Sequence, residues 1–227
     1  LDRILTMKRA LVIGESGGIG RAISKSLRAR GDEVVGLSRS RDLLDVTNET
    51  SVERTLGKLE GTFDLILVAT GALVINNQKP EKSIKSLNAA ALLDQFQVNA
   101  VGPALVLKHS IRLMPRDRSC VFAALSARVG SISDNQIGGW HSYRSAKAAL
   151  NQLIRGASIE LGRTHPLACC VCLHPGTVET TFSADYGKSQ NRTPAPAAAA
   201  NLVAVMDQLS RKDTGGFFDY AGKSIPW

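Results

Sequence analysis

The segment ALVIGESGGIG, residues 10–20, determines how the rest of the chain is interpreted. Its first four apolar residues predict a buried strand, its glycines predict a tight turn, and the amphipathic stretch that follows predicts a helix. Gly14, Gly18 and Gly20 would let a pyrophosphate approach the backbone at the N-terminus of that helix. Glycine-rich turns are common by themselves, but the strand before this one and the helix after it favour a dinucleotide-binding site over a flexible turn.

Short apolar runs alternate with longer amphipathic stretches along the remaining sequence. The runs that predict strands are 10–14, 33–38, 63–69, 119–125, 167–173 and 216–220. The stretches that predict helices are 19–30, 51–59, 92–114, 142–161 and 195–209. Strands that are apolar throughout are typical of parallel sheets covered on both faces. We therefore expect an α/β protein with a Rossmann-type, doubly wound parallel sheet of about seven strands and helices on both faces.

Length and composition limit the class of protein. The 227 residues, 44% hydrophobic and 21% charged, fit one globular domain. No apolar run reaches the ~18 residues of a membrane-spanning helix, and the first residues are too few and too charged for a secretory signal. We expect a disordered extension over residues 1–6, a single domain over residues 7–227, and a cytoplasmic protein without a membrane partner.

The net charge of +8 is compatible with nucleic-acid binding, but the distribution of charge is not. The basic residues are spread along the chain, without a run of five like charges and without interleaved aromatic residues. We expect no nucleic-acid partner, since excess positive charge attracts a small anionic ligand equally well. Cys120, Cys169, Cys170 and Cys172 lie in predicted strands without the spacing of a zinc or redox site, so we expect buried thiols and no metal.

The end of the second predicted strand indicates which dinucleotide the chain would bind. A cofactor with a free ribose 2′-hydroxyl favours a carboxylate at this position. The sequence instead places Ser38 and Arg39 there, followed by Ser40 and Arg41. A guanidinium group suits a 2′-phosphate and gives a free hydroxyl nothing comparable. We therefore predict NADP(H) rather than NAD(H), the alternative being an ordinary exposed basic turn.

Tyr143 and Lys147 lie one helical turn apart in the predicted helix 142–161. A phenol has a pKa near 10 and is a poor acid or base at neutral pH, whereas an adjacent ammonium group favours the phenolate. An isolated pair of this kind is more often a surface contact. Its occurrence in one chain with a phosphate-binding turn favours a general acid–base pair.

Together these motifs resemble the single-domain short-chain dehydrogenase/reductase family over residues 7–227. Three further segments are similar to its C-factor-like subgroup: SARVGSI (126–132), GGWHSY (138–143) and GFFDYAGKSIPW (216–227). The resemblance implies that Asp45 and Val46 contact the adenine and that Asn99 holds a water for a proton relay. VATG (68–71) stands where the family usually has Asn-Asn-Ala-Gly. The cofactor contacts that the resemblance implies are Gly14, Ser16, Gly18, Ile19, Gly20, Ser38, Arg39, Asp45, Val46, Ala69, Thr70, Gly71, Tyr143, Lys147, Pro175, Gly176, Val178 and Thr180.

The family's substrate-holding serine is where this sequence departs from the pattern. The strand-end pattern Ser-Ser-x-x-Gly falls on Ser126 and Ala127, and alanine cannot hydrogen-bond a carbonyl. The role therefore passes to Ser126, to Ser131 or to neither. We favour Ser126, because the end of a strand can aim its hydroxyl into the ligand crevice. The alternative is that this hydroxyl bonds the neighbouring backbone.

The resemblance implies hydride transfer between NADP(H) and a carbonyl or alcohol substrate, with Ser126, Tyr143, Lys147 and Asn99 as the catalytic residues. Tyr143 would exchange the proton, and Lys147 would lower the pKa of Tyr143 and bond the nicotinamide ribose. It also implies a homodimer or homotetramer. The alternative function is an NADP(H)-binding signalling or sensor protein with little turnover, because fold does not fix function.

Two polar stretches, 76–87 and 183–196, are expected to be loops. The second follows the Pro175–Gly176 turn at a predicted strand end, where open α/β sheets bind ligands, so we expect it to be a lid. Together with residues 131–140, this lid would determine the substrate.

Overall fold

The computed structural model describes residues 8–183 and 192–227. The predicted extension over residues 1–6 and most of the predicted lid, residues 184–191, lie outside the described residues.

The strands of the described chain are β1 Arg9–Ile13, β2 Glu33–Leu37, β3 Leu65–Val68, β4 Cys120–Leu125, β5 Ala168–His174, β6 Val178–Glu179, β7 Thr193–Pro194 and β8 Phe217–Asp219. Six of them form a parallel central sheet in the order β2-β1-β3-β4-β5-β8. The order reverses between β1 and β3, which opens a crevice at the carboxyl ends of those strands. A second, two-stranded sheet pairs β6 with β7.

The predicted Rossmann-type sheet is confirmed, with six strands in the described chain instead of about seven. All six apolar runs that predict strands form them. Residues 43–46 lie outside the sheet, and two of their amides bond elsewhere. The Leu44 amide donates to the Ser38 carbonyl oxygen at 3.4 Å, and the Asp45 amide donates to Ser51 Oγ at 3.1 Å.

Helices cover both faces of the sheet, as the alternation of strands and helices predicts. The helices are α1 Gly18–Ala29, α2 Arg39–Asp42, α3 Glu49–Gly57, α4 Ala89–Phe96, α5 Gly102–Ser110, α6 His141–Thr164 and α7 Ala195–Gln208. One face of the sheet packs against α3, α5 and α6, and the other packs against α1 and α7.

The predicted helix 92–114 is an interrupted helix that begins earlier. A π-helical turn, Gln97–Val101, joins α4 to α5, and a 3₁₀ turn ends the stretch at Leu113. By length and composition, Ala89–Leu113 could cross a membrane. Val106, Leu107 and Leu113 are buried against the sheet, so here the stretch is a core helix.

The cysteines occupy the buried strand positions that the sequence predicts. Cys120, Cys169, Cys170 and Cys172 are free thiols in β4 and β5. Burial raises the pKa of each, to about 11 for Cys120 and about 12 for Cys172. These thiols therefore behave as small apolar core side chains at neutral pH.

Neither predicted loop is irregular throughout. Within 76–87, Ile84–Ser86 form a 3₁₀ turn, and Glu81 is buried, with 8% of its surface exposed. Within 183–196, Thr193–Pro194 pair with Val178–Glu179, and α7 begins at Ala195. Backbone pairing therefore shortens the stretch available for the expected lid.

Candidate active site

The glycine-rich turn joins β1 to α1 at the crevice, where the sequence predicts a dinucleotide. Gly14 has a φ of +90°, and a Cβ at this residue would lie 3.0 Å from the Ala69 carbonyl. A Cβ on Gly20 would lie 2.3 Å from the Gly14 carbonyl oxygen. A Cβ on Gly18 would lie 2.5 Å from Thr180 Cγ2. Gly14 and Gly20 are therefore required for the backbone to close this tightly, and a side chain at Gly18 would displace Thr180.

The same contacts bring three predicted cofactor segments together. Gly14 touches the strand end at Ala69 and Thr70, and Gly18 touches Thr180. Thr70 Oγ1 is buried and has no hydrogen-bond partner among the described residues. A buried hydroxyl without a hydrogen-bond partner is uncommon in a protein core, and it favours a polar ligand at this edge of the sheet.

The segment after β2 places Ser38 and Arg39 where the sequence predicts the cofactor's ribose. Ser38 caps α2, since its Oγ accepts from the Arg41 amide at 3.3 Å, while Arg39 is exposed. Asp45 Oδ1 accepts from the Thr47 hydroxyl at 2.7 Å. The Thr47 hydroxyl and amide, together with the Arg39 guanidinium, lower the pKa of Asp45.

Glu15, inside the glycine-rich turn, was not singled out by the sequence analysis. Its carboxylate is buried between Arg28 Nη1 at 2.6 Å and Arg41 Nη2 at 2.9 Å. Burial by itself raises the pKa of Glu15, but the two guanidinium groups outweigh it and the net shift is downward. Gly36 is needed beside it, because a Cβ there would lie 2.0 Å from the carboxyl carbon. Arg41 is thereby engaged by the turn, whereas Arg39 extends into solvent.

The Pro-Gly turn after β5 faces the glycine-rich turn across the crevice. Gly176 has a φ of +78°, and a Cβ there would lie 2.9 Å from the Tyr220 ring. Val178 is buried, and Thr180 is the residue that Gly18 contacts. Thr180 thus contacts the glycine-rich turn, and Pro175, Gly176 and Val178 precede it in the segment that follows β5.

Of the other predicted contacts, Val46 is buried against Gly102, Ser16 is exposed and Ile19 is half-buried.

Tyr143 lies in the first turn of α6 with 5% of its surface exposed. Its ring stands between two aromatic side chains, with ring centroids 6.3 Å from Trp140 and 6.3 Å from Phe182. Burial raises the pKa of Tyr143 above its ordinary value, which opposes the lowering that the sequence predicts from Lys147. The phenol therefore keeps its proton at neutral pH.

Lys147 is buried one turn after Tyr143, with 2% of its surface exposed. Its Nζ lies 5.8 Å from the centroid of the Tyr143 ring and donates to the Leu125 carbonyl oxygen at 3.0 Å. Burial lowers the pKa of Lys147 to about 8, and Cys172 opposes part of that shift. The predicted helical pairing therefore places an ammonium group beside the phenol.

Asn99 lies in the π-helical turn and is fully buried. Its Oδ1 accepts from the Ala72 amide at 3.1 Å, and its Nδ2 donates to the Ala72 carbonyl oxygen at 2.8 Å. A Cβ on Gly71 would lie 2.9 Å from Asn99 Oδ1 and 3.5 Å from Lys147 Nζ. The glycine thus leaves a space between these two polar groups.

Gln95 is a supporting residue that the sequence analysis missed. Its Oε1 accepts from Asn99 Nδ2 at 2.7 Å, and its Nε2 donates to the Leu73 carbonyl oxygen at 3.0 Å. A glutamine one helical turn before a predicted functional asparagine is a usable signal, because such residues share a helix face.

The two candidate serines form hydrogen bonds within the protein. Ser126 Oγ donates to Asn151 Oδ1 at 2.6 Å, and Asn151 lies two turns after Tyr143, about 12 Å further along the helix axis. Ser131 Oγ accepts from the Asp134 amide at 3.2 Å. The Ser126 proton is directed at α6, and the substrate-holding role that the sequence assigns to Ser126 stays a prediction.

Comparison with known proteins agrees with the architecture. The family model of the short chain dehydrogenases matches residues 8–191. A 1-hydroxy-2-glutathionyl-2-methyl-3-butene dehydrogenase of Rhodococcus sp. (strain AD45) is 28% identical over 236 residues, covering 97% of this chain and 100% of that protein. The C-signal protein of Myxococcus xanthus is 33% identical over 145 residues, covering 64% of this chain and 84% of that protein.

A solved structure shows the same fold. A short-chain dehydrogenase/reductase from Burkholderia multivorans with bound NADP superposes with a TM-score of 0.83 and 25% identity, covering 98% of this chain and 100% of that chain. The family match, the switch point with its glycine-rich turn, and the buried Tyr143–Lys147 pair agree with one another. This chain belongs to the short-chain dehydrogenase family of oxidoreductases.

Proposed function

We propose that this chain reduces a carbonyl substrate with NADP(H), and that Tyr143 donates the proton. The observation that carries the proposal is the position of Tyr143 and Lys147. Both are buried, 5.8 Å separates Lys147 Nζ from the Tyr143 ring centroid, and Lys147 bonds the carbonyl that ends β4. The pair therefore lies at the edge of the sheet to which the glycine-rich turn belongs.

The residues at that edge fit a dinucleotide. The glycines put no side chain between the backbone of the turn and a ligand, and Thr70 Oγ1 offers a buried polar atom without a partner among the described residues. The helix N-terminus at Gly18 would hold the pyrophosphate, Arg39 the 2′-phosphate, and Asp45 with Val46 the adenine. Pro175, Gly176, Val178 and Thr180 would lie along the nicotinamide, which supplies the hydride when bound.

The protonation states of Tyr143 and Lys147 at neutral pH are the ones that reduction needs. Burial keeps the Tyr143 phenol protonated, so it serves as an acid toward a developing alkoxide oxygen. Lys147, whose pKa is about 8, is mostly an ammonium at pH 7 and stabilises the phenolate that forms. We propose that a water in the space at Gly71, between Asn99 Oδ1 and Lys147 Nζ, passes on the proton that replaces the one Tyr143 has donated.

The aromatic surroundings of Tyr143 indicate the substrate class. Trp140 and Phe182 approach the ring from two sides. The substituent of a carbonyl bound at the phenol would therefore contact apolar side chains. We therefore propose aldehydes or ketones with an apolar substituent. Ser126 acts in this proposal as a positioning residue, which holds the end of β4 against α6 through Asn151.

A substrate panel tests the proposal. NADPH oxidation would be followed with aliphatic, aromatic and charged aldehydes, ketones and quinones, in parallel with a binding titration of NADPH. We expect turnover of apolar carbonyls above that of charged ones. Tight NADPH binding without turnover of any carbonyl would contradict the proposal.

A second candidate function is an NADP(H)-binding signalling or sensor protein with little turnover. The bond of Ser126 to Asn151 favours it, because the Ser126 hydroxyl already donates its proton within the fold. The C-signal protein of Myxococcus xanthus is one of the relatives. The same panel separates the two functions. A homodimer or homotetramer and a cytoplasmic location stay predictions.

A further inference from the structure

Helix α6, which carries Tyr143 and Lys147, begins without a cap from its own sequence. Its N-cap residue, Trp140, has a φ of 52°, and within the described chain its side chain accepts no capping hydrogen bond. The first turn contains no acidic residue. The first amides of a helix have no partner inside the helix and are usually satisfied by an N-cap oxygen. An oxygen from another part of the chain is therefore needed at this end.

Glu81 supplies that oxygen from a segment far upstream. Its Oε2 accepts from the Ser142 amide at 3.2 Å, and its Oε1 accepts from the Ser142 hydroxyl. Its main-chain oxygen accepts from the Trp140 amide at 2.5 Å. Ser142 is the second residue of the helix, and an N-cap side chain would ordinarily satisfy this amide or the next one.

The contact is buried and charged. Glu81 is 8% exposed and Ser142 is 3% exposed. Burial by itself raises the pKa of Glu81, but the hydrogen bonds from the Ser142 hydroxyl and amide outweigh it, so the net shift is downward. An anion at the N-terminus of a long helix is further stabilised by the aligned peptide dipoles. The carboxylate therefore stays ionised at neutral pH.

The capped turn is the turn that places the phenol. Tyr143 follows Ser142 directly, and the two line one small cavity together with Glu81 and Gln95. Glu81 bonds the backbone amide of Trp140, and the Trp140 ring meets the Tyr143 ring edge-on. A shift of the first turn would therefore move the phenol relative to Lys147, which lies one turn deeper.

We propose that Glu81 is a positioning residue for the reaction, capping α6 from outside the helix and so holding Tyr143 at its place in the crevice. The inference rests on the proposed function of Tyr143. A misplaced catalytic group lowers the rate of the chemical step without weakening cofactor binding.

The test compares Glu81→Ala, Glu81→Gln and the control Glu160→Ala, an exposed glutamate near the other end of α6. We expect Glu81→Ala to lower kcat by about 10–100-fold while the Kd for NADPH changes less than about twofold. Glutamine can still accept from the Ser142 amide, so Glu81→Gln should stay within about fivefold of the parent kcat. Glu160→Ala should leave both values unchanged.

Amide hydrogen exchange measures how stable the first turn of α6 is, independently of turnover. In Glu81→Ala, exchange in a peptide covering residues 140–145 should rise by about tenfold or more, while exchange over residues 150–160 stays at the parent rate. Unchanged exchange at 140–145, or faster exchange with an unchanged kcat, would overturn the inference. If the parent protein reduces no carbonyl, the proposed function fails by itself, and the exchange result alone decides whether Glu81 holds the start of the helix.

Discussion

The glycine-rich turn and the start of α6 lie at the same edge of the sheet but are built differently. The turn is formed by consecutive residues, and its shape follows from glycines at Gly14, Gly18 and Gly20 that leave no room for a Cβ. The start of α6 depends on Glu81, which lies 61 positions before Ser142 in the chain. Backbone sites of the first kind can be predicted from a short segment. Side-chain sites of the second kind depend on contacts that the fold creates.

The largest effect on turnover should come from Tyr143, the proposed proton donor. Tyr143→Phe keeps the ring between Trp140 and Phe182 and removes the acid. We expect turnover to fall by about 10²–10⁴-fold with NADPH binding near the parent value, measured by steady-state kinetics and a binding titration. Near-parent turnover would mean that the acid lies elsewhere in the crevice.

The glycine-rich turn should be the more sensitive region for cofactor binding. The Cβ of Gly20→Ala would lie 2.3 Å from a backbone oxygen, so the turn must open. We expect the Kd for NADPH to rise by about 100-fold, ~2.7 kcal/mol. Gly57→Ala is the matched control, because a Cβ at Gly57 meets nothing within 4 Å. Equal NADPH affinities of Gly20→Ala and Gly57→Ala would contradict the assignment of the glycine-rich turn to the cofactor site.

Arg39 should determine the choice of cofactor at the same end of the crevice. We expect the parent to bind NADPH at least about tenfold tighter than NADH, ~1.4 kcal/mol, and Arg39→Asp to reverse this preference. Arg54→Asp makes the same change of charge at another exposed position and should leave the ratio unchanged. A parent protein with equal affinity for the two cofactors would contradict the assignment of Arg39.

Ser126 distinguishes a substrate contact from a structural one. Ser126→Ala leaves the buried Asn151 Oδ1 without its donor, which should cost about 1–3 kcal/mol of unfolding free energy. We expect kcat/KM to fall by less than about tenfold, as for Ser131→Ala. A loss of about 100-fold in kcat/KM for Ser126→Ala alone, in a protein of parent stability, would return the substrate-holding role to this serine.

His174, at the end of β5, should affect stability rather than activity, and only in acid. Burial first, then Arg128, lowers the pKa of His174 to about 4, with Asp219 opposing the shift. The unfolded chain takes up this proton below its ordinary pKa of about 6.5. Stability should therefore fall as the pH drops from about 6.5 to about 4, by up to ~3 kcal/mol.

His174→Leu should flatten that loss, since the buried Nδ1 has no hydrogen-bond partner among the described residues. Urea unfolding at pH 7.5 and pH 4.5 would measure it, with His109→Gln in α5 as the control. A loss of stability in acid that is the same in the parent and in His174→Leu would assign the acid sensitivity to other groups.

The sequence predicted the parts of the fold that depend on local pattern. The strands, the helices on both faces and the glycine-rich turn follow from apolar periodicity and turn chemistry. The Tyr143–Lys147 pair follows from helical spacing. The six strands of the central sheet in the described chain are the six apolar runs from which the sequence predicts strands.

Long-range side-chain contacts were not predictable in the same way. Ser126 has the residue type and the strand-end position of a substrate contact, and Asn151, the partner that engages its hydroxyl, lies on another element. Glu81 belongs to a polar, lysine-rich stretch that predicts a solvated loop. It is buried because it packs against the start of α6. The assignments of Arg39, Asp45 and Asn99 to cofactor and proton relay stay predictions.

The central claim, hydride transfer from NADPH to a carbonyl carbon, is tested most directly by an isotope label. NADPH deuterated at both C4 positions of the nicotinamide would be incubated with the protein and the best carbonyl substrate of the panel, with Tyr143→Phe in parallel. We predict deuterium on the carbinol carbon of the product alcohol, at a rate at least about 100-fold lower in Tyr143→Phe. Bound NADPH with no deuterium in any alcohol product would contradict the account.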